Sequence, residues 1–340
     1  MISRRGALGL LGGLAGSALL PAATLGAPVS ARPPRLRPGD TVGLVAPASA
    51  VTLPEERDRA LHWIRGMGLV PRLGAHTEDR HGYLAGTDAD RAADLNAMFA
   101  DPEIRAIFAV RGGWGSARIL PLLDWPAIRA NPKLLIGYSD TTALHCAIAT
   151  RCGFPTLHAP NAASSWEKTS WDSLWRIAFA ADVPVLGGAA VEQAVGRPAR
   201  TLVEGTARGR LLGGNLTILS TLMGTDWLPS FDGAILFLED INEDPYRVDR
   251  MLQQLGLAGV IDRVSGVVFG QCTRCDLRDP DYAGFTLDDV LNQHLGDLRV
   301  PVVTGFNTGH VRSQLALPIG VPVELDAEAR TLRMLEPAVA

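Results

Sequence analysis

The sequence predicts an α/β protein of two domains, an N-terminal open parallel sheet followed by a C-terminal α/β domain. Short apolar runs ended by Pro, Gly or an acid alternate with stretches of helical periodicity, as in a parallel sheet covered on both faces. The alternation stops over residues 161–210, which hold Trp166, Trp171 and Trp175, then Gly187-Gly188 and a polar stretch containing Pro198. It resumes from Gly209, so a second unit follows the first. The boundaries expected are 37–165 for the first domain, 166–208 for a linker that starts with a helix, and 209–335 for the second domain.

In chain order, residues 41–46 form a buried strand ended by Pro47. Pro54 opens a helix with Ala60, Leu61 and Ile64 on one face, stopping at Gly66 or Gly68. Thr87 and Asp90 frame a second helix as a capping box, with Leu95, Met98 and Phe99 inward. Residues 104–110 form the next strand, broken by Gly112-Gly113-Trp114-Gly115, and 116–123 read as helical. Residues 134–136 are a strand, after which Gly137-Tyr138-Ser139-Asp140 caps a helix to Ala149, with Ser139 the expected N-cap. In the second domain 234–238 is a strand, and 245–255 is a helix with Val248, Met251, Leu252 and Leu255 on one side. Residues 264–269 and 300–304 are strands.

The 340 residues are 47% apolar and 20% charged, which excludes a disordered chain, a coiled coil and a collagen-like chain. The net charge is −4 and no Lys/Arg block stands out, so nucleic acid is not an expected partner. After residue 30 no apolar run reaches the roughly 20 residues that span a bilayer.

The first residues read as an address. Arg4-Arg5 follows Ser3, and no charge occurs from Gly6 to Ala27, a run rich in Leu, Ala and Gly. Residues 1–31 therefore resemble a secretory signal of the twin-arginine type, cleaved after Ala27 or Ala31; an uncleaved N-terminal anchor is the alternative. Removing them takes away two Arg and no acid, moving the net charge from −4 to −6. The expected location is the periplasm, where cysteines meet an oxidising compartment. Four cysteines are too few for a disulfide scaffold. Cys272-Thr-Arg-Cys275 has half a zinc-ribbon spacing with no second pair, so buried thiols or a local disulfide are expected rather than a metal.

Two serines sit at strand-to-helix turns, where backbone N–H groups can stabilise an oxyanion. Ser116 follows three glycines within four residues, and Ser139 follows Gly137-Tyr138. Neither sits in a G-x-S-x-G elbow, Ser116 having Trp114 and Arg118 at the flanking positions, and the glycine run is neither a dinucleotide fingerprint nor a P-loop. His62, His145 and His294 fall in helical stretches; His158 is a second-rank candidate base. His310 follows Gly309 just beyond the strand over 300–304, where open α/β sheets place function. Glu239 and Asp240 end the strand over 234–238 and are candidates to orient an imidazole.

These residues resemble the LD-carboxypeptidases, the muramoyltetrapeptide carboxypeptidases of serine peptidase family S66. The resemblance spans roughly Arg37 to Gly320. It rests on the order of Tyr83-Leu84-Ala85-Gly86-Thr87, Arg111-Gly112-Gly113-Trp114-Gly115-Ser116-Ala117-Arg118, Ile136-Gly137-Tyr138-Ser139-Asp140-Thr141-Thr142, Gly213-Gly214-Asn215-Leu216, Leu238-Glu239-Asp240, and Gly309-His310 with Leu317-Pro318-Ile319-Gly320. Departures are Trp114, where an aromatic such as Tyr is usual, and Val311-Arg312-Ser313 after the histidine. The resemblance implies an active site at the junction of the two domains, often in a homodimer, with Ser116 as nucleophile, Glu239 as acid and His310 as base. It implies the N–H of Ala117 as one oxyanion donor, and Arg111 and Arg118 as candidates for the substrate carboxylate. The implied reaction releases terminal D-alanine from the L-centre of a murein tetrapeptide, with no metal or other cofactor. The rival readings are a hydrolase of peptidyl-nucleotide antibiotics from the same family, acting in the cytoplasm as self-immunity, and a periplasmic solute-binding protein without catalysis.

Overall fold

The computed structural model describes residues 31–188, 196–276 and 283–340; apart from Ala31, the expected export segment lies outside the described residues. In the first half the apolar runs become β1 (Thr41–Val45), β2 (Val70–Leu73), β3 (Ile104–Ala109), β4 (Leu134–Gly137) and β5 (Thr156–His158). Between them lie α1 (Pro54–Gly66), α2 (Asp88–Ala100), α3 (Ser116–Ile119), α4 (Trp125–Ala130) and α5 (Thr142–Arg151). The five strands pair in parallel in the order β5-β4-β3-β1-β2. The helix expected over 116–123 is shorter than that: α3 gives way to a 3₁₀ turn, Leu120–Leu122, with Pro121 inside it.

The second half contains α6 (Lys168–Leu174), which continues as a π-turn over Trp175–Phe179, then β6 (Val185–Gly187), β7 (Arg200–Val203), β8 (Thr206–Asn215) and α7 (Leu216–Leu222). It goes on through β9 (Ile235–Ile241), α8 (Pro245–Leu257), β10 (Gly266–Thr273), α9 (Leu287–Leu295) and β11 (Val302–Thr304), and ends with β12 (Leu317–Ile319), β13 (Pro322–Asp326) and β14 (Thr331–Met334). The second sheet runs β6-β14-β13-β8-β9-β10-β11-β7, with β8 to β11 parallel and the flanking pairs antiparallel.

Two features differ from the expected boundaries. The segment read as a linker supplies both edge strands of the second sheet, β6 and β7, which are short and only partly buried. From the second half, β12 crosses back and pairs antiparallel with β5, setting Leu317 opposite His158. The two sheets also share their cores. One apolar cluster joins Ile107, Leu135 and Leu144 to Leu212, Leu216 and Leu236; the other joins Phe108, Ile136 and Leu157 to Leu211, Phe237 and Val268. Each such fully buried side chain contributes about 1.5–3 kcal/mol, so the sheets are held in a fixed relation. At the seam, the Thr142 hydroxyl at the start of α5 accepts from the Asn215 N–H at 2.9 Å.

Cys272 and Cys275 form a disulfide at the end of β10, while Cys146 and Cys152 are buried free thiols. Burial pushes those thiols up to about 12 and about 11. Among the described residues no helix is long and apolar enough to cross a membrane.

The expected capping box on α2 is present. Thr87 Oγ1 accepts from the Asp90 N–H at 3.2 Å, and Asp90 Oδ2 accepts from the Thr87 N–H at 2.9 Å. The helix it starts carries Arg91, fully buried, which donates to the carbonyls of Pro47 and Gly115. Thr87→Ala should therefore cost about 1 kcal/mol of stability, seen as a lower urea midpoint at unchanged slope. An unshifted midpoint would show that the box adds nothing to the helix.

Candidate active site

The second sheet supplies an acid and a base. The β9 sequence Ile-Leu-Phe-Leu-Glu-Asp-Ile is buried through Asp240, as a central parallel strand demands, so Glu239 is carried into the interior with no exposed surface. A buried carboxylate needs a partner, and Glu239 Oε2 lies 2.7 Å from His310 Nδ1. That bond assigns the imidazole's Nδ1 to the carboxylate. The preceding glycine is required by the contact: Gly309 has φ +107°, and a Cβ there would lie 2.8 Å from Glu239 Oε2. The loop is tied to β10, where Thr273 Oγ1 donates to the His310 carbonyl at 2.9 Å and the Gln271 N–H to the Thr308 carbonyl at 2.9 Å. Asp240 points elsewhere. Its oxygens accept from Asn215 Nδ2, Thr217 N and Thr217 Oγ1, each at 2.9 Å, so it braces the β8–α7 turn and not the imidazole.

Charge and burial set the protonation of the pair. Burial alone would raise Glu239, but the charge and hydrogen bond of His310 outweigh it and hold the carboxyl below its ordinary range. Burial alone would lower His310, but the Glu239 charge and hydrogen bond leave it above the ordinary histidine value. Asp240 is pushed up to about 6 by burial, with the Glu239 charge adding to it.

The first sheet supplies Ser139, and here the expectations need correcting. Ser139 is not a helix N-cap. It has φ 64°, a left-handed conformation rare for a residue with a Cβ, on the turn between β4 and α5. The Asn161 side chain holds the turn by accepting from the Tyr138 N–H at 3.2 Å. Ser139 is partly exposed and lines a cavity of about 380 Å³ together with His310, Tyr138, Arg111 and Ile241. The Tyr138 ring packs on the His310 ring with centroids 4.8 Å apart.

Ser116 does not meet His310 there. It is fully buried and does not line that cavity. Its N–H donates to Asp140 Oδ2 at 2.7 Å. Burial raises Asp140, while the Ser116 side chain and the N–H groups of Ser116 and Gly115 pull the other way. The glycine run is thus a loop clamped by the residue after Ser139. Its sharp turn directs the backbone, and not the Ser116 side chain, toward the cavity. Gly112 lies so close to Ser139 that a Cβ would come within 2.9 Å of the serine Cβ and 3.1 Å of its Oγ. Ala117 follows Ser116 and packs against the core, away from the cavity lining.

The two arginines separate. Arg111 lines the cavity, with Nη1 donating to the Ala50 carbonyl at 3.0 Å and 3.3 Å from Glu56 Oε2. Arg118 is forked onto Asp88, with Nε at 2.9 Å and Nη2 at 2.8 Å, and is absent from the cavity lining. Away from the cavity, His76, Asp79 and Asp90 hold ligand-type atoms within 4.8 Å of one another. Asp90 already serves the capping box of α2, and Asp79 bonds His76 at 2.8 Å.

Residues 42–159 match the model of the LD-carboxypeptidase N-terminal domain and residues 208–325 that of the C-terminal domain. The chain therefore belongs to the LD-carboxypeptidase family. A Streptomyces coelicolor protein bearing a carboxypeptidase name is 44% identical over 91% of this chain and 97% of its own. The murein tetrapeptide carboxypeptidase of Pseudomonas aeruginosa is 33% identical over 84% of this chain and 92% of its own. A solved structure of MccF, the microcin C7 self-immunity protein of Escherichia coli, in complex with glutamyl sulfamoyl guanosine superposes with a TM-score of 0.82. It is 28% identical and covers 92% of this chain and 100% of its own.

Because the Glu239 charge holds the His310 proton, neutralising that charge should release it. In the wild type the His310 ring should titrate above the ordinary value of about 6.5, and in Glu239→Gln below the wild-type value. Histidine NMR titration of the two proteins reads this directly. An unchanged or raised His310 value in Glu239→Gln would contradict the pairing.

Proposed function

We propose that the protein is a serine-type LD-carboxypeptidase that releases terminal D-alanine from murein tetrapeptides, with Ser139 as its nucleophile. One observation carries the reading: Ser139, at φ 64° on a strand-to-helix turn, lines the same cavity as His310, whose far nitrogen is bonded to buried Glu239. These three fit the roles of nucleophile, base and orienting acid. His310 Nε2 takes the serine proton as Oγ attacks the scissile carbonyl, then gives it to the departing D-alanine amine. Water resolves the acyl-enzyme by the same route. Glu239 keeps the imidazole oriented and balances its charge. The oxyanion falls to the N–H of Asp140, the residue after the nucleophile, with the Gly112-Gly113 backbone alongside; a Cβ on Gly112 would stand 3.5 Å from Asp140 N. Arg111, on the cavity wall, is assigned to the substrate's terminal carboxylate. The murein-directed relatives support the substrate class, and the Arg4-Arg5 segment supports action outside the cytoplasm, where murein lies.

Purified protein incubated with murein tetrapeptide should release one D-alanine by mass analysis. Turnover of an aminoacyl sulfamoyl nucleoside in its place would favour the MccF-like substrate class. Ser139→Ala should lower kcat by several orders of magnitude, and His310→Ala by about as much, since the two act as a unit. Glu239→Gln should lose about 10²–10⁴-fold. Ser116→Ala should stay within a few-fold of wild type once folded. A dead Ser116→Ala beside an active Ser139→Ala would reverse the assignment.

The export reading has its own check. N-terminal sequencing of the protein from the native cell envelope should begin at residue 28 or 32. An intact Met1 in a cytosolic fraction would exclude it.

A further inference from the structure

His158 has no task in the reaction above, although it stands beside its machinery. It ends β5, is fully buried, and neither ring nitrogen has a hydrogen-bond partner. Its ring meets Phe237 edge-on at 4.8 Å and Tyr138 at 6.0 Å, and lies 6.4 Å from the His145 ring. Phe237 and Glu239 are two apart on β9, so their side chains leave the same face of the strand. Glu239 Oε1 and His145 Nδ1 are also buried without partners. Buried polar atoms are rarely left so, and several in one region call for a common explanation.

The hydrogen-bonding roles fit one another. His145 Nε2 lies 2.9 Å from the Gly137 carbonyl, so it carries the proton and Nδ1 is an acceptor. Glu239 Oε1 is an acceptor. Neutral His158 offers one N–H. A single enclosed water can accept from His158 and donate to both Glu239 Oε1 and His145 Nδ1, three partners of the kind buried waters hold. We propose that His158 is a positioning residue, a neutral donor that braces Glu239 through such a water and thereby sets the basicity of His310. This rests on the Glu239–His310 pair of the proposed mechanism.

The groups facing the pair leave His158 neutral. Burial holds His158 down to about 3 and His145 down to about 4. Tyr138 is raised by burial and stays protonated. From β9 itself the Asp240 charge, though its side chain is turned to the β8–α7 turn, favours the charged form of His310, while Arg274, after β10, opposes it. The Asn215 amide favours the Glu239 carboxylate.

The sign of the effect follows. Without the His158 donor, the carboxylate is least stable when His310 is neutral, so His310 takes up a proton more readily. His158→Phe should raise the His310 value by about one unit, leaving about tenfold less neutral imidazole at a fixed pH below it. The acidic limb of kcat/KM should move up by the same amount, with KM within twofold. His158→Gln keeps an N–H donor and should return the limb toward wild type. A merely structural role would lower kcat equally at all pH values and leave the limb in place. Should His158→Phe not fold, His158→Met serves as the apolar variant. The His310 NMR titration on substrate-free protein reads the proposal without turnover, so it stands or falls apart from the nucleophile, which Ser139→Ala tests. An unmoved His310 value in the folded apolar variant, or a glutamine variant no closer to wild type than the apolar one, overturns it.

Discussion

The hydrogen bond from Glu239 to His310 is the constraint around which the second half of the chain is arranged. A carboxylate with no exposed surface is costly unless it is paired, and removing one partner from a buried charged pair typically costs 3–5 kcal/mol. The surrounding sequence serves that pairing. Gly309 has no side chain because the carboxylate occupies the space, and Thr273 and Gln271 anchor the histidine loop to β10. Asp240, one residue on, is satisfied in a different way, by the N–H and hydroxyl groups of the β8–α7 turn. Adjacent acids on one strand alternate sides, so only one of them can reach the imidazole.

The pair on one sheet and the serine that shares its cavity from the other keep a fixed relation only if the sheets are held together. Here the shared cores and the bond between Thr142 and Asn215 join the start of α5, directly after Ser139, to the end of β8, directly beside Glu239 in the sheet. The cross-over of β12 onto β5 ties the same halves a second time. Precision across the seam then follows from packing over many residues and needs no single strong contact.

Strands β1, β3, β4, β9, β10 and β11 and most helices were legible because buried parallel strands read as continuous apolar runs and α2 carries its capping box in the sequence; β2, β5, β8, β12, β13 and β14 were not read from it. Glu239 and His310 were legible from the same runs, since Glu239 directly follows one and His310 sits on the glycine-containing loop beyond another. The edge strands β6 and β7 were not, being short and half-exposed with no period to detect. The serine that shares the cavity with His310 is not the one the glycines single out, for an instructive reason. Glycines mark where a backbone can turn, and Ser116 stands after three of them. The left-handed residue at the working turn is the serine itself, and nothing in its neighbours Tyr138 and Asp140 announces it.

That conformation explains what the glycine run is for. A serine held at positive φ stores on the order of 1–3 kcal/mol of strain and persists only where its surroundings over-determine it. Asp140 provides that restraint. Its buried carboxylate binds the N–H of Ser116, drawing the glycine loop onto the elbow until Gly112 meets the Ser139 side chain. Arg91, from α2, grips the carbonyl of Gly115 on the other side. The Arg-Gly-Gly-Trp-Gly-Ser segment is thus the wall against which the serine is pressed. Its glycines allow the backbone of Gly112 and Gly113 to line the cavity, and its serine is the buried end of that clamp.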